Sequence, residues 1–243
     1  MIEDLPLYIP ISFVLTCFVT LFLFFRILQD ATLETVRKNK IKIIGGIVSW
    51  IFLQGVISFN DVYFSSINTL PPKIFLLGIL PCIVFMIWLF NNSAGKAFID
   101  SLPLERITFL NVVRIPVEFV LLWLFLENTI PKIMTFEGLN FDILAGISAV
   151  FVTFIGFRQG KLNKRVFLVW NIVSLLLLIN IIVLAFLSTP SPIQKFGFEQ
   201  PNIALLKFPF AWLPTFIVPV VLFGHFVSIR RLLICKTKKC IGS

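Results

Sequence analysis

The chain has 243 residues, of which 58% are hydrophobic and only 14% charged, with a mean hydropathy of +0.99. Soluble domains are about 45–50% apolar and about 25% charged, so this composition excludes a soluble globular domain. The net charge of +9 does not point to nucleic acid: the basic residues flank apolar stretches, where they set membrane orientation and meet anionic headgroups.

Seven apolar stretches of roughly span length predict transmembrane helices over residues 5–28, 41–59, 74–90, 107–128, 141–157, 166–187 and 213–233. The first begins after the acidic Glu3 and Asp4, which do not read as the basic start of a signal peptide, and it ends near Arg26. The second contains Gly45, Gly46 and Gly55, read as small residues that permit close helix approach. The third holds Pro81, tolerated in lipid where neighbours satisfy the freed carbonyl. Residues 91–111 mix apolar and charged side chains, which predicts an amphipathic helix in the interface, interrupted by Pro103.

The fourth stretch carries Arg114 and Glu118 with Pro116 between them. The fifth presents Ala145, Gly146 and Ala149, a small-residue face expected to pack tightly. The sixth carries Asn171, Ser174 and Asn180. Residues 188–212 are rich in Pro and Phe, and their apolar content predicts a loop that packs onto the bundle or dips into the membrane. The seventh holds Pro214, Pro219, Gly224 and His225, the only histidine. Most Trp and Tyr residues fall near span ends, as an aromatic belt requires; Trp50 is a mid-span exception.

The charges are sorted between the connections. Seventeen of the 21 Lys and Arg residues lie in residues 26–42, 96–114, 158–165 and 230–239, alternate segments of the chain. Cytoplasmic loops carry this excess. The expected architecture is therefore an all-α polytopic membrane protein, one integral domain over residues 1–243. It is a bundle of about seven helices with the N-terminus outside and the C-terminus cytoplasmic. The compact, tail-free design suggests a bacterial cytoplasmic membrane. Among the acidic residues, Glu3, Asp4, Asp61, Glu127, Glu137, Asp142 and Glu199 are assigned to the outer side, and Asp30, Glu34, Asp100 and Glu105 to the cytoplasmic side.

Ionisable residues inside spans are costly and are functional candidates by default. Arg114 and Glu118, four apart on one helical face, are able to pair. A span beginning near Arg106 puts them deep in the membrane, and one beginning near Arg114 puts them at the interface. With orientation imposed, Arg114, Glu118, Asn171, Ser174, His225 and Ser228 fall at similar depth, a candidate polar layer opening to the cytoplasm. Interhelical hydrogen bonds explain Asn171, Ser174 and Asn180 equally well.

No catalytic set, cofactor or metal site is expected. A single His excludes an intrachain bis-His haem, and no P-loop, His-Glu-x-x-His or Gly-x-Ser-x-Gly is present. No lysine occupies the middle of the last span, which excludes a retinal Schiff base of the usual kind. Cys17 and Cys82 fall inside spans, and Cys235 and Cys240 in the tail lack a neighbouring His for a zinc signature. The leading expectation is non-enzymatic binding or transport of a small solute, ion or lipid through the polar layer. The alternatives are an accessory subunit with a membrane-protein partner or a second copy, and an intramembrane enzyme acting on lipid through Glu118 or His225.

Overall fold

The computed structural model describes residue 2, residues 5–66 and residues 69–234. Glu3, Asp4, Cys235, Cys240 and the tail lysines, each assigned a side or a role above, lie outside the described residues. Those described are all-helical, without strands. We number the helices α1 (Tyr8–Gln29), α2 (Glu34–Phe59), α3 (Phe75–Asn91), α4 (Ser93–Ser101), α5 (Leu104–Leu126), α6 (Asp142–Phe151, continuing into a π-helical Val152–Arg158), α7 (Lys164–Ser188) and α8 (Leu213–Ile234).

Five of them, α1, α2, α5, α7 and α8, are long and apolar enough to cross a membrane. The bent pair of α3 and α4, with a 94° angle between them, is a sixth if counted as one span. The outward faces of these helices are apolar. In α1, Phe13, Cys17, Thr20, Phe24 and Ile27 are buried, whereas Leu15, Phe18, Val19 and Phe22 are exposed. An apolar exposed face of this extent is the kind that membranes or partner proteins cover. The two α1 threonine hydroxyls are satisfied within the helix, Thr16 Oγ1 donating to the Ser12 carbonyl and Thr20 Oγ1 to the Thr16 carbonyl, both at 2.8 Å.

Ion pairs gather the four basic segments at one end of the bundle. Arg106 pairs with Asp30 at 2.8 Å, Arg158 with Glu105 at 3.1 Å, and Arg230 with Asp100 at 3.1 Å. Such half-exposed pairs add little stability, but they fix which connections are neighbours. The helix expected within residues 91–111 is α4, capped by Asn92, which accepts from the Gly95 amide at 2.6 Å. It stops at Ser101 because Pro103 disfavours helical geometry at Leu102.

Two prolines shape the other side. Pro81 in α3 and Pro219 in α8 lack the amide that would bond four residues back, and each is preceded by a π-helical turn, Phe75–Ile79 and Leu213–Ile217. The freed carbonyls are met by α2. Gln54 Nε2 donates to the Leu77 carbonyl at 3.1 Å, and Trp50 Nε1 to the Thr215 carbonyl at 2.9 Å. Trp50 is mid-span because a freed carbonyl waits there. At the same level Gly78 admits Thr215: a Cβ on Gly78 would stand 2.5 Å from Thr215 Cγ2.

Residues 189–212 pack onto the bundle. Gln200 Nε2 donates to the carbonyls of Phe125 and Ile130 at 2.8 and 2.6 Å, and the amide of Ile203 donates to Thr129 at 3.1 Å. Phe210 and Ala211 are buried.

Candidate functional site

The α5 helix begins at Leu104, so Arg114 lies about 15 Å and Glu118 about 21 Å along it at ~1.5 Å per residue. Both therefore lie well inside the helix, away from its first turns. Because Pro116 cannot bond to Val112, the helix tightens into a 3₁₀ turn at Asn111–Val113 just before Arg114. On the facing helix, a Cβ at Gly146 would come within 2.8 Å of Ile115 Cγ1 and 3.2 Å of its amide nitrogen. The small face of α6 brings the two backbones together, and Ala145 and Ala149 are buried with it.

That close approach sets the ion pair. Arg114 does not pair with Glu118, as its spacing suggested; its partner is Asp142 at the start of α6. Nε donates to Asp142 Oδ2 at 2.6 Å, and Nη2 donates to Oδ1. Asp142 is not an outer-loop acid but a buried one, held at a helix N-terminus where a carboxylate is favoured. The other Arg114 donors are used as well. Nη2 reaches the Ser174 carbonyl at 2.9 Å, and Nη1 reaches Asn111 Oδ1 and His225 Nε2, both at 3.3 Å. A guanidinium has five N–H groups and no acceptor; here five contacts, all to groups of the protein, account for them.

The same logic assigns the histidine tautomer. Nε2 faces a donor and must accept, so Nδ1 carries the proton and donates to Asn171 Oδ1 at 3.2 Å. The Asn171 amide is oriented by its own donation to the Phe167 carbonyl at 3.0 Å. Glu118 joins through Asn140, whose Nδ2 donates to Glu118 Oε1 at 2.6 Å and to the Met134 carbonyl at 3.0 Å. Asn140 Oδ1 accepts from the Asp142 amide at 3.1 Å. Glu118 Oε2 is buried without a hydrogen-bond partner among the described residues.

Of the six sequence candidates, Arg114, Asn171 and His225 are bonded directly, Ser174 contributes its carbonyl and not its hydroxyl, and Glu118 is linked through Asn140. Ser228 is buried one turn beyond His225 and bonds to none of them. Sequence reasoning missed Asn111, Asn140 and Asp142. The available signal was that a deep arginine needs an acid, together with an aspartate opening an apolar run. Among the described residues, no group of three or more His, Cys, Asp and Glu side chains is placed to hold a metal ion.

A second feature lies elsewhere. A cleft of about 660 Å³ separates α2 from α3 and α8. Its α2 wall is the stripe Lys42, Ile43, Gly46, Ile47 and Trp50, positions spaced to share one helical face. Pro81, Cys82 and Thr215 line it at the level of Trp50, and Leu89, Phe98 and Phe223 at the basic end. Gly55 does bring helices close, since a Cβ there would stand 3.2 Å from Trp212. Gly45 and Gly46 do not: nothing lies within 4 Å of a Cβ at either.

Residues 72–233, about two thirds of the chain, match the family model described as a domain of unknown function, DUF8737. The chain belongs to that family. No curated protein and no solved structure matches the chain. The DUF8737 region contains every residue of the Arg114 network, together with the α3 and α8 walls of the cleft; α1 and α2 precede it.

Proposed function

We propose that the chain is a non-enzymatic integral membrane protein that binds a lipid-like ligand in the cleft between α2, α3 and α8. On this reading it crosses the bilayer seven times, α3 and α6 being the two shortest crossings, with its N-terminus outside and its basic end in the cytoplasm. Arg114, Asp142, Asn171 and His225 form a frame that holds α5 to α8 together. The cleft is the observation that carries this reading. At about 660 Å³ it falls within the roughly 300–1,000 Å³ of ligand pockets, its walls are almost wholly apolar, and it lies between helices of membrane-spanning character. The Arg114 network supports the division of labour, because its guanidinium donors are already committed to protein acceptors and leave none for a solute.

The test is native mass spectrometry of the full chain in mild detergent after delipidation and re-addition of phospholipid. The wild type should retain a bound lipid through desolvation, and Gly46→Trp, which fills the cleft from its α2 wall, should not. Equal retention by both proteins would place bound lipid elsewhere and end the proposal.

A further inference from the structure

We infer that the cleft takes one acyl chain of a phospholipid with an anionic headgroup, and that Lys42 holds the head at the mouth. This rests on the cleft being the binding site and adds the ligand's charge and direction. Four polar side chains line the cleft. Trp50 Nε1 is committed to the Thr215 carbonyl, Cys82 Sγ lies 3.7 Å from the same carbonyl, and Thr215 Oγ1 donates to the Ala211 carbonyl at 2.7 Å. Lys42 is the fourth, and among the described residues its ammonium has no ion pair or hydrogen bond. No carboxylate of the described residues lines the cleft. Its fixed charge is therefore a single uncompensated cation beside an apolar trough.

Geometry gives the direction. Lys42 and Trp50 stand about 12 Å apart along α2 at ~1.5 Å per residue, and α3 from Leu89 to Pro81 and α8 from Phe223 to Thr215 run the same length. The floor lies at the proline-broken level of α3 and α8, and the mouth at the end where the basic segments gather. A headgroup at Lys42 then meets the basic side of the membrane, where anionic lipid attracts Lys and Arg. Gly46 is accounted for by the same reading. A glycine inside a helix costs about 1 kcal/mol relative to alanine, and no close packing at Gly46 requires it. It stands one turn below Lys42 on the cleft-facing stripe, where a larger side chain would fill the chain's path.

The experiment compares phosphatidylglycerol with phosphatidylcholine of identical acyl chains, titrated into the delipidated full chain and read by native mass spectrometry. The wild type should prefer phosphatidylglycerol by about fivefold, the scale of one lysine at an anionic surface. Lys42→Gln should abolish that preference while phosphatidylcholine still binds. Lys38→Gln, at a lysine already paired with Glu34 at 2.9 Å, should leave the preference intact. A preference that survives Lys42→Gln, or that falls equally in both lysine variants, overturns the headgroup assignment and leaves the cleft as the site. Retention of both lipids by Gly46→Trp overturns the cleft itself, and with it this inference. Should Gly46→Trp fail to fold, Met86→Trp on the α3 wall serves the same purpose.

Discussion

The Arg114 network and the α2 cleft are opposites. In the network, polar groups from α5, α6, α7, α8 and the segment before α6 meet in a buried interior, and the guanidinium spends its donors on the protein. In the cleft, apolar walls stand apart and, among the described residues, one cation faces them without a partner. Half of the most apolar stretch of α5 is buried, against 17% for α2. Polarity buried this deeply serves to hold helices in register, since lipid offers no hydrophobic drive for helices to associate. Open space is found where packing stops, beside the least buried of the five long helices.

The largest effect should come from breaking the network. Arg114→Met leaves Asp142 buried beside α5 without its counter-charge, and unpairing a buried ion typically costs about 3–5 kcal/mol. Thermal unfolding in detergent should show a severe loss, and Arg114→Met with Asp142→Leu should recover much of it by removing both charges. A single variant that melts with the wild type would mean that the network is not what joins these helices.

Two glycines sharpen the comparison with opposite signs. Gly146→Ala drives a methyl against Ile115, where a Cβ would be 2.8 Å from Cγ1, and overpacking of this kind costs about 1–3 kcal/mol. Gly46→Ala meets nothing within 4 Å and gains helix propensity, so it should stabilise by up to about 1 kcal/mol. Melting temperatures measured side by side should move in opposite directions. Destabilisation by Gly46→Ala would show that α2 closes onto its neighbours and that the cleft is not open.

Much of this was legible because hydropathy and charge are long-range signals in a membrane chain. The last span, expected at residues 213–233, is Leu213–Ile234, and the sorted lysines and arginines correctly assigned four connections to one end. Depth along each helix then brought Arg114, Asn171, Ser174 and His225 to one level. Asp142 escaped because hydropathy treats an acid at the edge of an apolar run as loop. Its burial depends on residues 127–141 folding inward, with Ile130, Met134 and Asn140 buried, and no local pattern encodes that. Glu118 was chosen as the partner by its four-residue spacing, a rule for one helix that a closely packed second helix overrode. The cleft escaped for a related reason. Gly45, Gly46 and Gly55 look alike in sequence, and only the neighbours decide which one packs and which one leaves space.

The smallest expected effect bears most directly on where binding resides. Among the described residues Glu118 has no ion pair; it accepts one hydrogen bond from Asn140 at 2.6 Å and leaves Oε2 without a partner. In Glu118→Gln an amide oxygen replaces Oε1 as acceptor, and the side chain keeps its length and shape. The hydrogen bond is kept in kind, and its net worth is only about 1 kcal/mol, so stability should change by less than that. Lipid retention by native mass spectrometry should be unchanged, because Glu118 is not among the residues that line the cleft. Loss of retention with the melting temperature preserved would reverse the comparison. It would make the carboxylate, and the polar layer around it, the binding element, and would reduce the cleft to a surface that bulk lipid fills.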